Sequence, residues 1–399
     1  MSVGHACVDV YQGAVAALVP FLVAERGYGY AAVSGVVLAA SLLSSVAQPL
    51  FGAVTDRRPL PWLLPASTLL SGVGMALSGV GDSYGLTLAC VALSGIGVAA
   101  YHPESARVAR AVAGGGHRGM AWFSLGGNLG FAAAPLLVAA VVAVGGGLRG
   151  TPLLVLPALA GALICLPVLR SLGGPGAAGA GAGASAGPDD VRAFVRLSLA
   201  VVFRSIAFTG LSTFLALFVT QRLGGGDSSS AGTAALVVLY AGGAVGSVLG
   251  GALADRWGRV AAARRSYLVA AASVAGLLLV PGPAVYLFVA LTSAGLYVPF
   301  SLQVTLGQDY LPSRIGTASG VTLGLTVSIG GLASPAIGAL ADATSLRTAL
   351  LPLVAMPVLS WLLFRGLREP AAPAAGGGRG DQGGPGDQGT IVETAPTVR

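Results

Sequence analysis

The chain has 399 residues, of which 54% are hydrophobic and only 9% charged, with a mean hydropathy of +0.81. A soluble domain carries about 25% charged residues, so a water-covered globule is excluded and an integral membrane protein is expected. The formal charge of +7 rests on arginine alone, and no basic run is interleaved with aromatics, so a nucleic-acid partner is not expected.

A helix crosses a bilayer with about 20 apolar residues. Twelve such stretches are predicted, at 4–24, 31–54, 61–80, 84–104, 118–144, 150–170, 194–220, 231–254, 265–282, 284–308, 315–341 and 347–366. No cleavable signal pattern precedes the first, which reads as a retained span. Cys7, Cys90 and Cys165 lie in apolar segments without metal-ligand spacing and read as small buried hydrophobes.

On the first stretch, His5, Asp9 and Gln12 are four and three residues apart and share one helix face, with Tyr11 beside them. The fourth stretch runs uncharged from Leu86 to Ala100 and then meets Tyr101-His-Pro-Glu-Ser-Ala-Arg107. Glu104 and Arg107, three apart, can pair on a helix. An ionisable group inside a span is costly unless it is paired or borders water. Two readings follow: a wet helix end that fixes depth, or a site where protons bind. On the second reading His5, Asp9, His102, Glu104 and Arg107 couple proton entry to transport. Asn128 is the one strongly polar group inside the fifth stretch beyond Arg118 at its start. Arg204 lies inside the seventh, with Thr209 one turn on, and is read either as a cavity cation for an anionic substrate or as a brace between helices.

Residues 1–170 are expected to form one six-helix bundle and 193–368 another. Between them, 171–192 is Gly/Ala/Pro-rich and reads as a flexible cytoplasmic linker. The tail, 369–399, has a disordered composition. Seventeen arginines fall on one side of the predicted spans and four on the other, which places both termini in the cytoplasm of a cell-membrane protein. The halves also repeat. Gly52-Ala-Val-Thr-Asp56-Arg57 recurs 199 residues later as Gly251-Ala-Leu-Ala-Asp255-Arg256, and Gly130-Phe-Ala-Ala-Ala-Pro135 recurs 200 later as Gly330-Gly-Leu-Ala-Ser-Pro335. A half-chain repeat in one orientation is the pattern of paired transporter bundles.

The second copy continues as Trp257-Gly258-Arg259, so the loop resembles the signature G-x-x-x-D-R-x-G-R of the major facilitator superfamily. The first copy keeps Gly52, Asp56 and Arg57 but has Pro59 where the family has glycine. In this setting Asp255 is expected to cap a neighbouring helix or pair with an arginine, as a latch on the cytoplasmic gate. His5–Gly13, Tyr101–Arg110, Gly307–Pro312 and Gly316–Gly324 resemble the fosmidomycin-resistance branch of that superfamily. The resemblance implies an all-α membrane fold, twelve transmembrane helices in two six-helix bundles, working as a monomer. It implies proton-coupled export of a small antibiotic or toxic metabolite, with no cofactor beyond the proton gradient. An importer of a small metabolite and a non-transporting sensor are the alternatives. No nucleotide motif, nucleophile–base pair or metal-ligand spacing is present, so neither an enzyme nor a metal site is expected.

Overall fold

A computed structural model of the chain describes residues 1–58, 60–112, 117–171, 188–223 and 228–370. Most of the expected linker and the expected disordered tail lie outside these residues. Met1–Glu369 pack as one compact unit.

The described chain is helical throughout, with no strand among its residues. In order come α1 (Ser2–Arg26), α2 (Tyr30–Arg57), α3 (Leu63–Leu77), α4 (Tyr84–Val112), α5 (His117–Gly145) and α6 (Val155–Ser171), the last preceded by a 3-10 segment, Leu148–Leu154. The second half holds α7 (Val191–Leu223), α8 (Ser228–Trp257), α9 (Arg259–Leu279), α10 (Val285–Tyr310) and α11 (Ile315–Ala343). It ends with α12 (Leu346–Leu350) and α13 (Ala355–Arg365), joined by the 3-10 turn Leu351–Val354 into one span. Ten helical stretches are long and apolar enough to cross a bilayer, and two shorter ones, Leu63–Leu77 and Ile329–Ala343, accord with the twelve spans expected. The protein is an all-α, multi-pass membrane protein.

Close packing follows from glycine. Gly130 of α5 lies on α1, where an added Cβ would overlap the Ala6 carbonyl. Its repeat-related Gly330 lies on α7, with its N–H donating to Ser205 Oγ at 3.0 Å and the Ser205 carbonyl pressed against it. The two glycines therefore do the same job, α5 on α1 and α11 on α7, as small residues do where helices must approach in lipid. The halves meet through two pairs that also interchange under the repeat, α2 with α11 and α5 with α8.

At one end the halves are tied by polar contacts. Asp342, in the last turn of α11, accepts the Tyr30 and Ala31 backbone N–H groups at 2.8 and 2.9 Å. Gln221 Nε2, at the end of α7, donates to the Tyr30 hydroxyl at 2.7 Å. Gly29, the N-cap of α2, has no side chain to cap its own helix, so Asp342 supplies that acceptor from the other half.

Two local expectations change. α4 does not stop near residue 104 but continues through Pro103 to Val112, carrying His102, Glu104 and Arg107 inside a helix. The motif around Gly251 is not a turn: Gly251 to Arg256 belong to α8, and only Gly258, at φ 80°, reverses the chain.

Candidate functional site

A cavity of about 360 Å³ lies between the halves, walled by α1, α2, α4 and α5 on one side and by α7, α8 and α10 on the other. His5, Asp9, Tyr11, Gln12, His102, Asn128, Arg204 and Thr209 all line it. Glu104 and Arg107 do not. Glu104 is fully buried and pairs with Arg107 one turn away, Nε to Oε2 at 2.9 Å and Nη2 to Oε1. The pair lies within α4, away from the cavity wall.

Asp9 is the centre of the polar wall. Its Oδ2 lies 3.2 Å from His5 Nε2 on the same helix, and its Oδ1 lies 3.2 Å from His102 Nε2 on α4. Asp9 and His5 are buried, and His102 is nearly so. The His5 ring stacks on Phe123 with centroids 4.1 Å apart and meets His102 edge-on at 5.3 Å.

The proton count follows from the other ring nitrogens. His5 Nδ1 is 2.8 Å from the Phe123 carbonyl, and His102 Nδ1 is 2.8 Å from the Val98 carbonyl. A carbonyl only accepts, so both Nδ1 atoms carry hydrogen. Neutral rings then turn bare Nε2 lone pairs toward a carboxylate, and each such contact is relieved by a proton on one partner. From ionised Asp9 with two neutral histidines, a net charge of −1, the triad has lone pairs for up to two protons, which would bring it to +1.

The facing wall is cationic and aromatic. Arg204, 2% exposed, lies with its guanidinium 5.1 Å from the centroid of Phe300, and its Nη1 donates to the Leu296 carbonyl at 3.4 Å. Phe208 packs edge-on to Tyr297 with centroids 5.2 Å apart, and Phe131 of α5 meets Tyr240 of α8 at 5.3 Å. Nothing in the sequence singles out Phe131, Phe208 and Phe300, because a phenylalanine in an apolar span leaves no pattern. Tyr11 is held in the wall by its hydroxyl, which donates to the Leu154 carbonyl at 2.8 Å.

The loop motifs lie apart from the cavity. The side chain of Asp56 is outside the described residues. Gly52 faces Pro103 of α4 at ordinary contact distance, while Arg57 and Arg256 are exposed. Asp255 is exposed and makes no hydrogen bond or ion pair among the described residues, so the expected capping role falls elsewhere. Glu369 performs it: its Oε2 accepts the Val260 N–H at 2.9 Å at the start of α9, and its Oε1 accepts from Arg259 Nε at 2.7 Å. Arg259 also reaches Asp309 of α10 at 2.6 Å. The chain reverses at Gly258, and it is Glu369 that meets the N-terminus of α9.

Residues 1–335 match the model of the Major Facilitator Superfamily. The chain is 30% identical over 373 residues to the fosmidomycin resistance protein of Escherichia coli K12, covering 89% of this chain and 90% of that one. It is 29% identical over 374 residues to the uncharacterised MFS-type transporter YfnC of Bacillus subtilis 168, covering 90% of each. Among solved structures it resembles a bacterial homologue of the human lysosomal transporter Spinster, in an inward-facing and occupied conformation, with a TM-score of 0.77 at 15% identity, covering 91% and 94% of the two chains. The human organic anion transporter MFSD10 gives a TM-score of 0.62 at 17% identity, covering 91% and 98%. Identities this low speak for the fold alone, but the family match spans most of the helices that build the cavity, and the chain belongs to the Major Facilitator Superfamily.

Proposed function

We propose that this chain is a proton-coupled secondary transporter that exports a small antibiotic or toxic metabolite, as a monomer, from a cell membrane. The single observation that carries the reading is Asp9, buried between His5 and His102 on the wall of a cavity shared by the two halves. The residues 1–170 and 193–368 act as bundles that tilt against each other across that cavity. Tilting changes the triad's access to water. A dry carboxylate favours its neutral or paired form and a wet one its ion, so protons are taken up on one side and released on the other. The arginine asymmetry supports cytoplasmic termini, and with them the end tied by Asp342 and Tyr30 faces outward.

Arg204 on the opposite wall offers a cation to an anionic or strongly polar cargo, and the aromatic ring set holds its apolar part. Glu104 and Arg107, paired with each other within α4 and away from the cavity lining, take no part in the proton cycle. Fosmidomycin, named for the Escherichia coli relative, is the first compound to test. In everted vesicles containing the overexpressed chain, a panel of phosphonates and cationic drugs is offered with and without an uncoupler. Accumulation that collapses with the uncoupler supports the reading, and accumulation indifferent to it contradicts proton coupling. Arg204→Ala should weaken uptake of anionic compounds at least about tenfold, the scale of losing one partner of a buried charge contact. Equal loss for neutral compounds would contradict the role given to Arg204.

A further inference from the structure

We infer that His5, Asp9 and His102 form a binding site for a divalent late-transition-metal ion, with Zn2+ the best match. The donor set is two imidazole nitrogens and one carboxylate, which suits zinc, copper, nickel or iron and does not suit Mg2+ or Ca2+, whose sites are built from oxygen. No spacing in the sequence announces it, because His102 comes from a different helix.

The geometry is close to that of an ion-loaded site. Zn–N bonds of about 2.0–2.1 Å and Zn–O bonds of about 2.0–2.2 Å put tetrahedral ligand atoms roughly 3.3 Å apart. Each imidazole Nε2 already lies 3.2 Å from an Asp9 oxygen, His5 from Oδ2 and His102 from Oδ1, and one ligand atom from each residue lies within 4.8 Å of the others. A modest rotation of the carboxylate and the rings would bring all three residues onto one ion. Both rings are also held in the form a metal needs: Nδ1–H donates to a backbone carbonyl, which fixes the tautomer and leaves Nε2 bare.

One observation points to a guest here. Apart from their 3.2 Å contacts inside the triad, His5 Nε2 and Asp9 Oδ1 are buried and complete no hydrogen bond among the described residues. A metal ion placed between the three side chains would satisfy both atoms. Gly127 of α5 packs close beside them: an added Cβ would overlap the Asp9 carboxylate and lie 2.7 Å from His5 Cε1, so a side chain there would crowd the site. Three protein ligands with the open position turned to the cavity make an exchangeable site, not a closed structural one.

The test uses the full chain, purified and placed in lipid nanodiscs. Zn2+ titration by calorimetry should give one ion per chain, and His5→Gln and His102→Gln should each weaken binding at least tenfold while keeping a single monodisperse species. Co2+ added to the unmodified chain should develop the intense visible absorption of a low-coordinate imidazole–carboxylate site, a readout that needs no variant. No stoichiometric Zn2+ binding, affinity unchanged in both variants, or a Co2+ spectrum equal to that of the aqueous ion would each overturn the inference. The site rests on geometry and not on proton traffic. Stoichiometric Zn2+ that leaves uncoupler-sensitive export untouched would support the site and count against the proton reading instead.

Discussion

Removing the carboxylate of Asp342 should shift the protein toward the state in which the Tyr30 end is open. Asp342 accepts two N–H groups of α2 across the halves, at 2.8 and 2.9 Å, and Gly29 offers no substitute. Loss of an N-cap acceptor costs about 0.5–2 kcal/mol, and loss of a negative charge beside a helix N-terminus about 0.3–1 kcal/mol more. Because the contact is exposed, about 1–2 kcal/mol is the reasonable sum. The contact exists only while the halves are joined at this end, so its loss destabilises that state alone. A change of that size multiplies the open-to-closed ratio by about 5–30. Asp342→Asn keeps one acceptor oxygen and should fall between wild type and Asp342→Ala. Spin labels at Ser83 and Arg347, exposed on opposite halves near this end, report the distance distribution by pulsed electron resonance in nanodiscs. A longer-distance population that grows in the order wild type, Asp342→Asn, Asp342→Ala is expected. Superimposable distributions for all three would refute the reasoning.

Further outcomes follow from the same contacts. Gly127→Ala should lose about 1–3 kcal/mol of stability, as overpacking does, and should abolish pH-gradient-dependent export, while Gly251→Ala, in α8 with no neighbouring element within 4 Å of the added carbon, should melt at or slightly above wild type. Glu104→Gln breaks a pair whose acid is fully buried and whose arginine side chain is 25% exposed, so a cost of about 2–3 kcal/mol, below the fully buried range, should appear in thermal melts. The gradient dependence of transport should survive that change, and its loss would return Glu104 to the proton path. Glu369→Ala removes the cap on α9 and one partner of Arg259, which should lower stability by about 1 kcal/mol, whereas Asp255→Ala should stay within about 0.5 kcal/mol. Scanning fluorimetry on the two variants decides between them, and the reverse order would restore Asp255 as the latch.

The helices were readable because a bilayer demands long apolar runs, and their ends were marked by Gly, Pro, Asp and Arg. The cavity was partly readable for the opposite reason: Asp9, Gln12, Asn128 and Arg204 are polar where lipid tolerates nothing polar, so each had to face inward. His5 and Asp9 could be placed on one face by spacing alone, but nothing in the chain says that His102 closes the triad from α4. The phenylalanines of the cavity were silent because an apolar side chain is at home anywhere in a span. The two cross-element caps escaped notice for a different reason. Asp342 ends a second Gly-Ala-Leu-Ala-Asp string, Gly338–Asp342, and its charge on the arginine-poor side was the signal available, yet its partner, the uncapped start of α2, exists only in three dimensions. Glu369 looked like the first residue of a disordered tail, and only the turn at Gly258 shows which helix end it meets.

The central claim is that the Asp9 triad exchanges protons when cargo is exchanged. The most direct measurement is proton release from the purified transporter in weakly buffered detergent, read with a pH dye as an exported compound from the vesicle panel is added. The account predicts release or uptake in the wild type that disappears in Asp9→Asn while the compound still binds by calorimetry. A proton change in Asp9→Asn equal to that of the wild type would contradict it.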